Sequence, residues 1–280
     1  MANHLQIRNT KFVWGDRTYI MGVLNVTPDS FSDGGKFNTI DTAINQALVM
    51  GEQGADIIDI GGQSTRPGAK QITLEEELNR VIPVIQCLRK QSDIVISVDT
   101  TRSEVAKSAI DAGADIINDI SGGSFDSEML GVVGRLQVPI ILMHIKGNPE
   151  TMQSLTDYDD IVLEIQTFLQ TQVDRALELG VGKEHLLLDI GVGFAKNFEQ
   201  NITILRNIGE FKKMGYPLLI GTSRKSFIGR ILDQPEPQKR VWGTAGSCSY
   251  AITQGADILR VHDVAVMADV AKVTDTICRL

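Results

Sequence analysis

The chain has 280 residues, a formal net charge of -8, 42% hydrophobic and 22% charged residues, and a mean hydropathy near zero. That is the make-up of a globular domain with ample core, and its acidic balance argues against a nucleic-acid partner. No stretch reaches the roughly 18 apolar residues of a membrane span, and Met1-Ala2-Asn3-His4 lacks the basic and apolar blocks of a secretory signal, so the chain reads as cytoplasmic with no membrane partner. Cys87, Cys248 and Cys278 are scattered and odd in number. Reduced thiols are expected from them, not disulfides or zinc ligands.

Eight short apolar runs then follow one another, and nearly all stop at a polar residue. Run 20–24 ends at Asn25, 57–60 at Gly61-Gly62, 94–98 at Asp99 and 116–117 at Asn118-Asp119. Run 140–143 ends at His144, 186–188 at Asp189, 218–220 at Gly221-Thr222-Ser223 and 258–259 at Arg260-Val261-His262. Runs rich in Ile, Val and Leu with little alternation are the mark of parallel strands buried on both faces. Eight units in this length leave about 35 residues each, enough for a strand, a helix and two loops. The fold class is therefore α/β: a single (β/α)8 TIM barrel over residues 1–280, with its site at the carboxyl ends of the strands.

Caps place the intervening helices. Thr73 with Glu76 and Thr101 with Glu104 have capping-box spacing, and Gly113 supplies a left-handed stop. Leu74, Leu78, Val81, Ile82, Ile85 and Leu88 share one helix face, interrupted by Pro83, which should kink it. Ile161, Ile165, Phe168, Leu169, Val173 and Leu177 form a second stripe ending at Gly180, and Asp263 is placed to cap a last helix carrying Val264, Met267, Val270 and Ala271. Residues 25–38 and 61–71, after the first two strands, are rich in Gly, Pro, Ser, Thr and Asp. They read as mobile loops that cover a ligand.

The motifs at these strand ends resemble those of the dihydropteroate synthase family. Asn25-Val26-Thr27-Pro28-Asp29-Ser30-Phe31-Ser32-Asp33-Gly34-Gly35 and Gly61-Gly62-Gln63-Ser64-Thr65-Arg66-Pro67-Gly68 match its first two loops. Ser97-Val98-Asp99-Thr100, Asn118-Asp119-Ile120-Ser121-Gly122-Gly123, Asp189-Ile190-Gly191-Val192-Gly193-Phe194, Gly221-Thr222-Ser223-Arg224-Lys225-Ser226-Phe227 and Arg260-Val261-His262-Asp263 follow in the family's order. The resemblance implies a transferase that joins p-aminobenzoate to 6-hydroxymethyl-7,8-dihydropterin pyrophosphate, giving 7,8-dihydropteroate and pyrophosphate for folate biosynthesis. It also implies a homodimer, bound Mg²⁺ and sensitivity to sulfonamides.

A pterin presents amino and ring N–H donors beside a carbonyl, so its pocket calls for carboxylates and a cation or amide. Asp99, Asn118, Asp189 and Lys225 supply those groups, and the resemblance adds Met143. Either aspartate could instead be a helix cap, more readily Asp99 than Asp189. Arg260 and His262 alternate across Val261 and emerge on one side of the last strand, where they suit pyrophosphate. An ion pair of Arg260 with Asp257 or Asp263 is the competing reading. Asn25 offers a neutral oxygen that suits Mg²⁺ and matches the family's metal contact, while Arg66 on the second loop could complete the phosphate clamp, with Thr65 beside it. For p-aminobenzoate the resemblance implies Thr65, Pro67, Phe194, Lys225 and Ser226. His144 reads as a hydrogen-bonded wall, and His4 and His185 as surface residues.

With no nucleophile set in view, catalysis rests on electrostatics and positioning by Asp99, Asp189, Lys225 and Arg260. The arrangement together with the resemblance implies a dissociative, cation-like path, which spacing alone does not separate from direct displacement. The chain departs from the family at Gln63, where glutamate is usual, and at Ala195, where glycine is frequent. The first alters hydrogen bonding in the second loop; the second is expected only to add a methyl group. The alternatives are a methyltetrahydrofolate-binding domain of a corrinoid methyltransferase, and a catalytically silent pterin-binding protein.

Overall fold

An antiparallel hairpin, β1 (His4–Ile7) and β2 (Thr10–Val13), precedes the first of the eight runs. It belongs to a computed structural model that describes residues 4–27 and 36–279. The runs themselves become β3 (Tyr19–Asn25), β4 (Ile57–Gly61), β5 (Val95–Asp99), β6 (Ile116–Asp119), β7 (Ile140–Met143), β8 (Leu186–Asp189), β9 (Leu218–Ile220) and β10 (Ile258–Val261). All pair in parallel, and β10 bonds to both β9 and β3, so the barrel is closed. Closure removes the exposed sheet edge that would otherwise invite aggregation.

Alternation along each strand sorts side chains to the two faces of the barrel wall. Tyr19, Met21, Ile57, Val95, Ile116, Ile141, Leu187, Leu219 and Ile258 point inward and form one apolar cluster with Leu5, Ile7, Phe12 and Trp14 of the hairpin. The hairpin thus plugs the amino-terminal end, with Phe12 and Tyr19 ring centroids 4.7 Å apart. Residues of opposite parity, such as Ile58, Ile60, Val98, Ile117 and Leu188, pack outward against the helices. Two steps further along the inward face stand Asp59, Ser97, Asn118, Met143, Asp189 and Arg260, and a further step on β5 brings Asp99. The interior therefore changes from apolar at the bottom to polar at the mouth.

The helices between the strands are α1 (Lys36–Glu52), α2 (Leu74–Arg89), α3 (Ser103–Ala112), α4 (Met129–Leu136), α5 (Ile161–Glu178), α6 (Phe198–Arg206), α7 (Ile208–Lys212), α8 (Ser226–Ile231), α9 (Val241–Thr253) and α10 (Val264–Cys278). Thr73 caps α2 through the Glu76 amide at 3.2 Å, and the helix is continuous through Pro83. Gly113 ends α3 at φ 113° and Gly180 follows α5 at φ 87°, both as expected.

Two expected caps are replaced by tertiary bonds. Arg102, not Thr101, occupies the α3 cap, and the Ser103 amide donates to Asp126 Oδ2 at 2.7 Å. Asp263 precedes α10, but its carboxylate takes Arg224 Nε at 3.0 Å and Nη2 at 2.5 Å. Guanidinium forks hold carboxylates more strongly than a single amide does. His185 is also not a plain surface residue, because its Nδ1 is buried just before β8. No helix among the described residues is long and apolar enough to cross a membrane.

Candidate active site

Arg260 organises the barrel mouth. Its Nε donates to Asp59 Oδ2 at 2.7 Å and its Nη2 to Asp99 Oδ2 at 2.7 Å. Neither Asp257 nor Asp263 takes it: Asp257 binds Lys212 and the Leu218 amide, and Asp263 binds Arg224. Asn118 Nδ2 joins the cluster by donating to Asp59 Oδ2 at 3.1 Å. Burial opposes charge on Arg260, yet Asp59 and Asp99 raise its pKa, so the guanidinium is permanently charged. Burial pushes Asp99 up to about 7 against the pull of Arg260, with Asp59 and Glu77 adding like charge.

Across the mouth, Asp189 Oδ1 accepts the Gly191 amide at 2.8 Å, and burial raises its pKa although that bond and Lys225 oppose it. Lys225 stands just before α8 with Nζ 4.2 Å from the centroid of the Phe194 ring. Burial lowers its pKa to about 8. Met143 lies with Ile120, Ile145, Met152 and Phe194 in a small apolar wall. A flat heterocycle with donors on one edge would find carboxylates, an amide, a cation and an apolar wall converging here.

His262 Nδ1 is 3.0 Å from Ser223 Oγ, and burial, with Arg260 and Arg224 nearby, lowers its pKa to about 3. It is neutral, so positive charge at this rim comes from Arg260. Asn25 ends β3 beside Gly61, half-buried, and Ser226 is exposed at the start of α8. On the second loop Thr65 is half-buried, whereas Arg66 and Pro67 face solvent and do not reach the cluster. Residues 28–35 of the first loop lie outside the described residues. Asp59 is the site residue that a reading of strand ends missed.

The sequence profile of the pterin binding enzyme family matches residues 21–262. A dihydropteroate synthase from Synechocystis is 60% identical over 98% of this chain and 95% of its own length. The chain belongs to the dihydropteroate synthase family of pterin-binding enzymes. A Clostridium difficile dihydropteroate synthase crystallised with pteroic acid superposes with a TM-score of 0.91 at 48% identity, covering 96% of this chain and 100% of that one. The Xanthomonas albilineans enzyme with 4-aminobenzoic acid gives 0.93 at 40% identity, covering 100% of both chains.

Against that family background both departures acquire a structural meaning. Gln63 Nε2 donates to the carbonyls of Ser64 and Lys70, each at 2.9 Å, and its Oε1 accepts the Ile72 amide at 2.8 Å. The side chain thus clips the two ends of the second loop together, and a carboxylate could not donate the first two bonds. Ala195 takes φ 49°, a left-handed conformation that glycine adopts freely and alanine does not. It does more than add a methyl group. Its strain is of the order of 1 kcal/mol, and its carbonyl accepts the Tyr158 hydroxyl at 2.9 Å. His144 is hydrogen-bonded, as expected, with Nδ1 3.1 Å from Lys196 Nζ, and burial, with Lys196 and Lys146 nearby, lowers its pKa to about 2, which does not suit a base.

Proposed function

We propose that residues 1–280 act as one domain that holds the pterin pyrophosphate on Asp99, Asn118, Met143, Asp189 and Lys225 and transfers its methylene carbon to the nitrogen of p-aminobenzoate. This is the reaction of the family to which the chain belongs, and it yields 7,8-dihydropteroate and pyrophosphate. The observation that carries the residue assignment is the position of Arg260, bonded to Asp99 within the pterin pocket and open at the rim beside His262. One guanidinium there touches both the heterocycle's wall and the path of the leaving group.

The chemistry follows from the charges. The C–O bond to pyrophosphate breaks first, the amine nitrogen of p-aminobenzoate then forms the C–N bond to the methylene carbon, and that nitrogen gives up a proton. Positive charge that develops on the pterin methylene faces the carboxylates of Asp99 and Asp189, and the departing anion is stabilised by Arg260, with Thr65, Arg66 and His262 as further donors. That arrangement favours the cation-like path over direct displacement. Lys225 donates to the pterin carbonyl and, with Phe194, Thr65, Pro67 and Ser226, lines the aminobenzoate site. Sulfonamides of the same shape would compete there.

Mg²⁺ fits the donor set in a particular way. No group of three or more His, Cys, Asp or Glu able to hold a metal occurs among the described residues. Asn25 offers one neutral oxygen, which suits an ion that keeps its waters and takes further ligands from phosphate. The ion would neutralise pyrophosphate charge when it arrives with the substrate. The fold, without a membrane-spanning helix among the described residues, supports a cytoplasmic enzyme. Trp242 and Ile277, each 76% exposed, and Val273 at 60% lie on the adjoining helices α9 and α10. Val273 and Ile277, four residues apart on one side of α10, are the exposed apolar pair that supports a homodimer.

Pyrophosphate release that requires both substrates together is the expected result. Release with the pterin alone, or methyl transfer from methyltetrahydrofolate, would favour another pterin enzyme, and binding without turnover would favour a silent protein.

A further inference from the structure

Lys196 ends the loop that follows β8, and it is 3% exposed. An ammonium has three N–H donors, and Lys196 Nζ has three acceptors: the carbonyls of Gly191 and Phe194, each at 2.9 Å, and His144 Nδ1 at 3.1 Å. None of them is a carboxylate. The third contact requires His144 to carry its proton on Nε2, which agrees with a histidine kept neutral by burial. Burial works against the lysine charge, lowering its pKa to about 7 although Asp189 favours it and Lys225 and Lys146 oppose it. Such a placement is unfavourable unless all three donors are used.

The loop explains why a donor is needed there. Gly191, Gly193 and Ala195 all have positive φ, at 67°, 80° and 49°. A Cβ at Gly191 would lie 2.0 Å from the His144 carbonyl oxygen, so the turn is pressed against the end of β7. Backbone folded this tightly directs carbonyls inward, where they need a buried partner. The same turn presents the Gly191 amide to Asp189 and sets Phe194 against Lys225. From the other side, the Tyr158 hydroxyl holds the Ala195 carbonyl.

We propose that Lys196 is a positioning residue, whose ammonium gathers the loop after β8 so that Asp189 and Phe194 face the two substrate pockets. The inference rests on the proposed function of those pockets. Lys196 touches no substrate; it acts through the backbone of residues 191–195. Arg260 and His262 are held by Asp59, Asp99 and Ser223, none of which belongs to this loop. Pyrophosphate recognition should therefore be independent of it.

Lys196→Met preserves length and removes all three donors. Calorimetric affinity for the pterin pyrophosphate and KM for p-aminobenzoate should each weaken about 10- to 100-fold, while inhibition by free pyrophosphate changes by less than about twofold. Unchanged affinities in the folded variant, or pyrophosphate inhibition lost in step with them, would overturn the role. Should Lys196→Met not fold, His144→Leu removes one acceptor only. A severalfold loss of pterin affinity is then expected, and no loss would overturn the role equally. Failure of the wild-type chain to bind the pterin would sink both this inference and the proposed function. Wild-type binding with unaltered variants would sink Lys196 alone.

Discussion

Asp59 Oδ2 lies 2.7 Å from Arg260 Nε, a bond that crosses the inside of the barrel between residues 201 positions apart in the chain. Asp59 is fully buried, and its Oδ1 has no partner among the described residues. An unpaired buried charge costs about 3–5 kcal/mol, an upper bound here because Arg260 keeps Asp99 at 2.7 Å. Asp59→Asn should lower stability toward that range and reduce kcat/KM for the pterin pyrophosphate about 10- to 100-fold, because Arg260 keeps only Asp99 as an anchor. Steady-state kinetics and denaturant unfolding check this. An unchanged kcat/KM would show that Asp99 alone orients the guanidinium.

The barrel was legible because parallel strands buried on both faces need unbroken apolar runs, and a site at their carboxyl ends makes polar stops informative. Asp59 escaped because it sits inside its run, between Ile58 and Ile60. A lone carboxylate of inward parity was the available signal. Lys196 was hidden for a different reason: its partners are backbone carbonyls and His144, which composition cannot connect. The same holds for Arg224 with Asp263 and for Asp126 with Ser103, where long-range bonds displaced local caps. The hairpin of β1 and β2 has only four residues a strand, too few for its alternation to stand out from a loop.

Gln63→Glu tests the clip on the second loop. A carboxylate would face the Ser64 and Lys70 carbonyls with no proton to donate, losing two bonds and adding repulsion, at a cost of about 1–3 kcal/mol. Protease cleavage within residues 63–72 should accelerate, and KM for p-aminobenzoate should rise severalfold. Cleavage at the wild-type rate would mean that the loop is seated by other bonds, such as the Gly68 amide to the Pro149 carbonyl at 2.9 Å.

The pH response follows from Asp99, which burial raises from 3.8 to about 7. A raised folded pKa contributes stability that is fully present below the unfolded value and is lost as pH rises through about 7. Pterin binding has the opposite demand, since N–H donors favour the carboxylate. Binding near pH 6 should release protons, and affinity should rise toward about pH 7. Above about 8 the Lys225 ammonium loses its proton, and affinity should fall again. Calorimetry in buffers of different ionisation enthalpy reads both effects. A pH-independent affinity with no proton release would remove Asp99 from the pterin pocket.

The order of binding depends on where the second loop stands before substrate arrives. Thr65 lines a cavity of about 480 Å³ with Asp99, Ile120 and Phe125, but Pro67 and Arg66 are exposed while Phe194 is buried at 8%. In the free protein Arg66 and Pro67 are thus turned toward solvent, while Phe194 is packed inside. A bound pyrophosphate gives Arg66 a reason to move inward, carrying Thr65 and Pro67 with it. Apparent affinity is reduced by the fraction of protein in the competent state. p-Aminobenzoate should bind the free protein weakly and much more tightly once pterin, pyrophosphate and Mg²⁺ are present, and sulfonamides should follow the same rule. Calorimetric titration into each form decides the matter. Equal affinity for free and preloaded protein would mean a preformed pocket and a random order of binding.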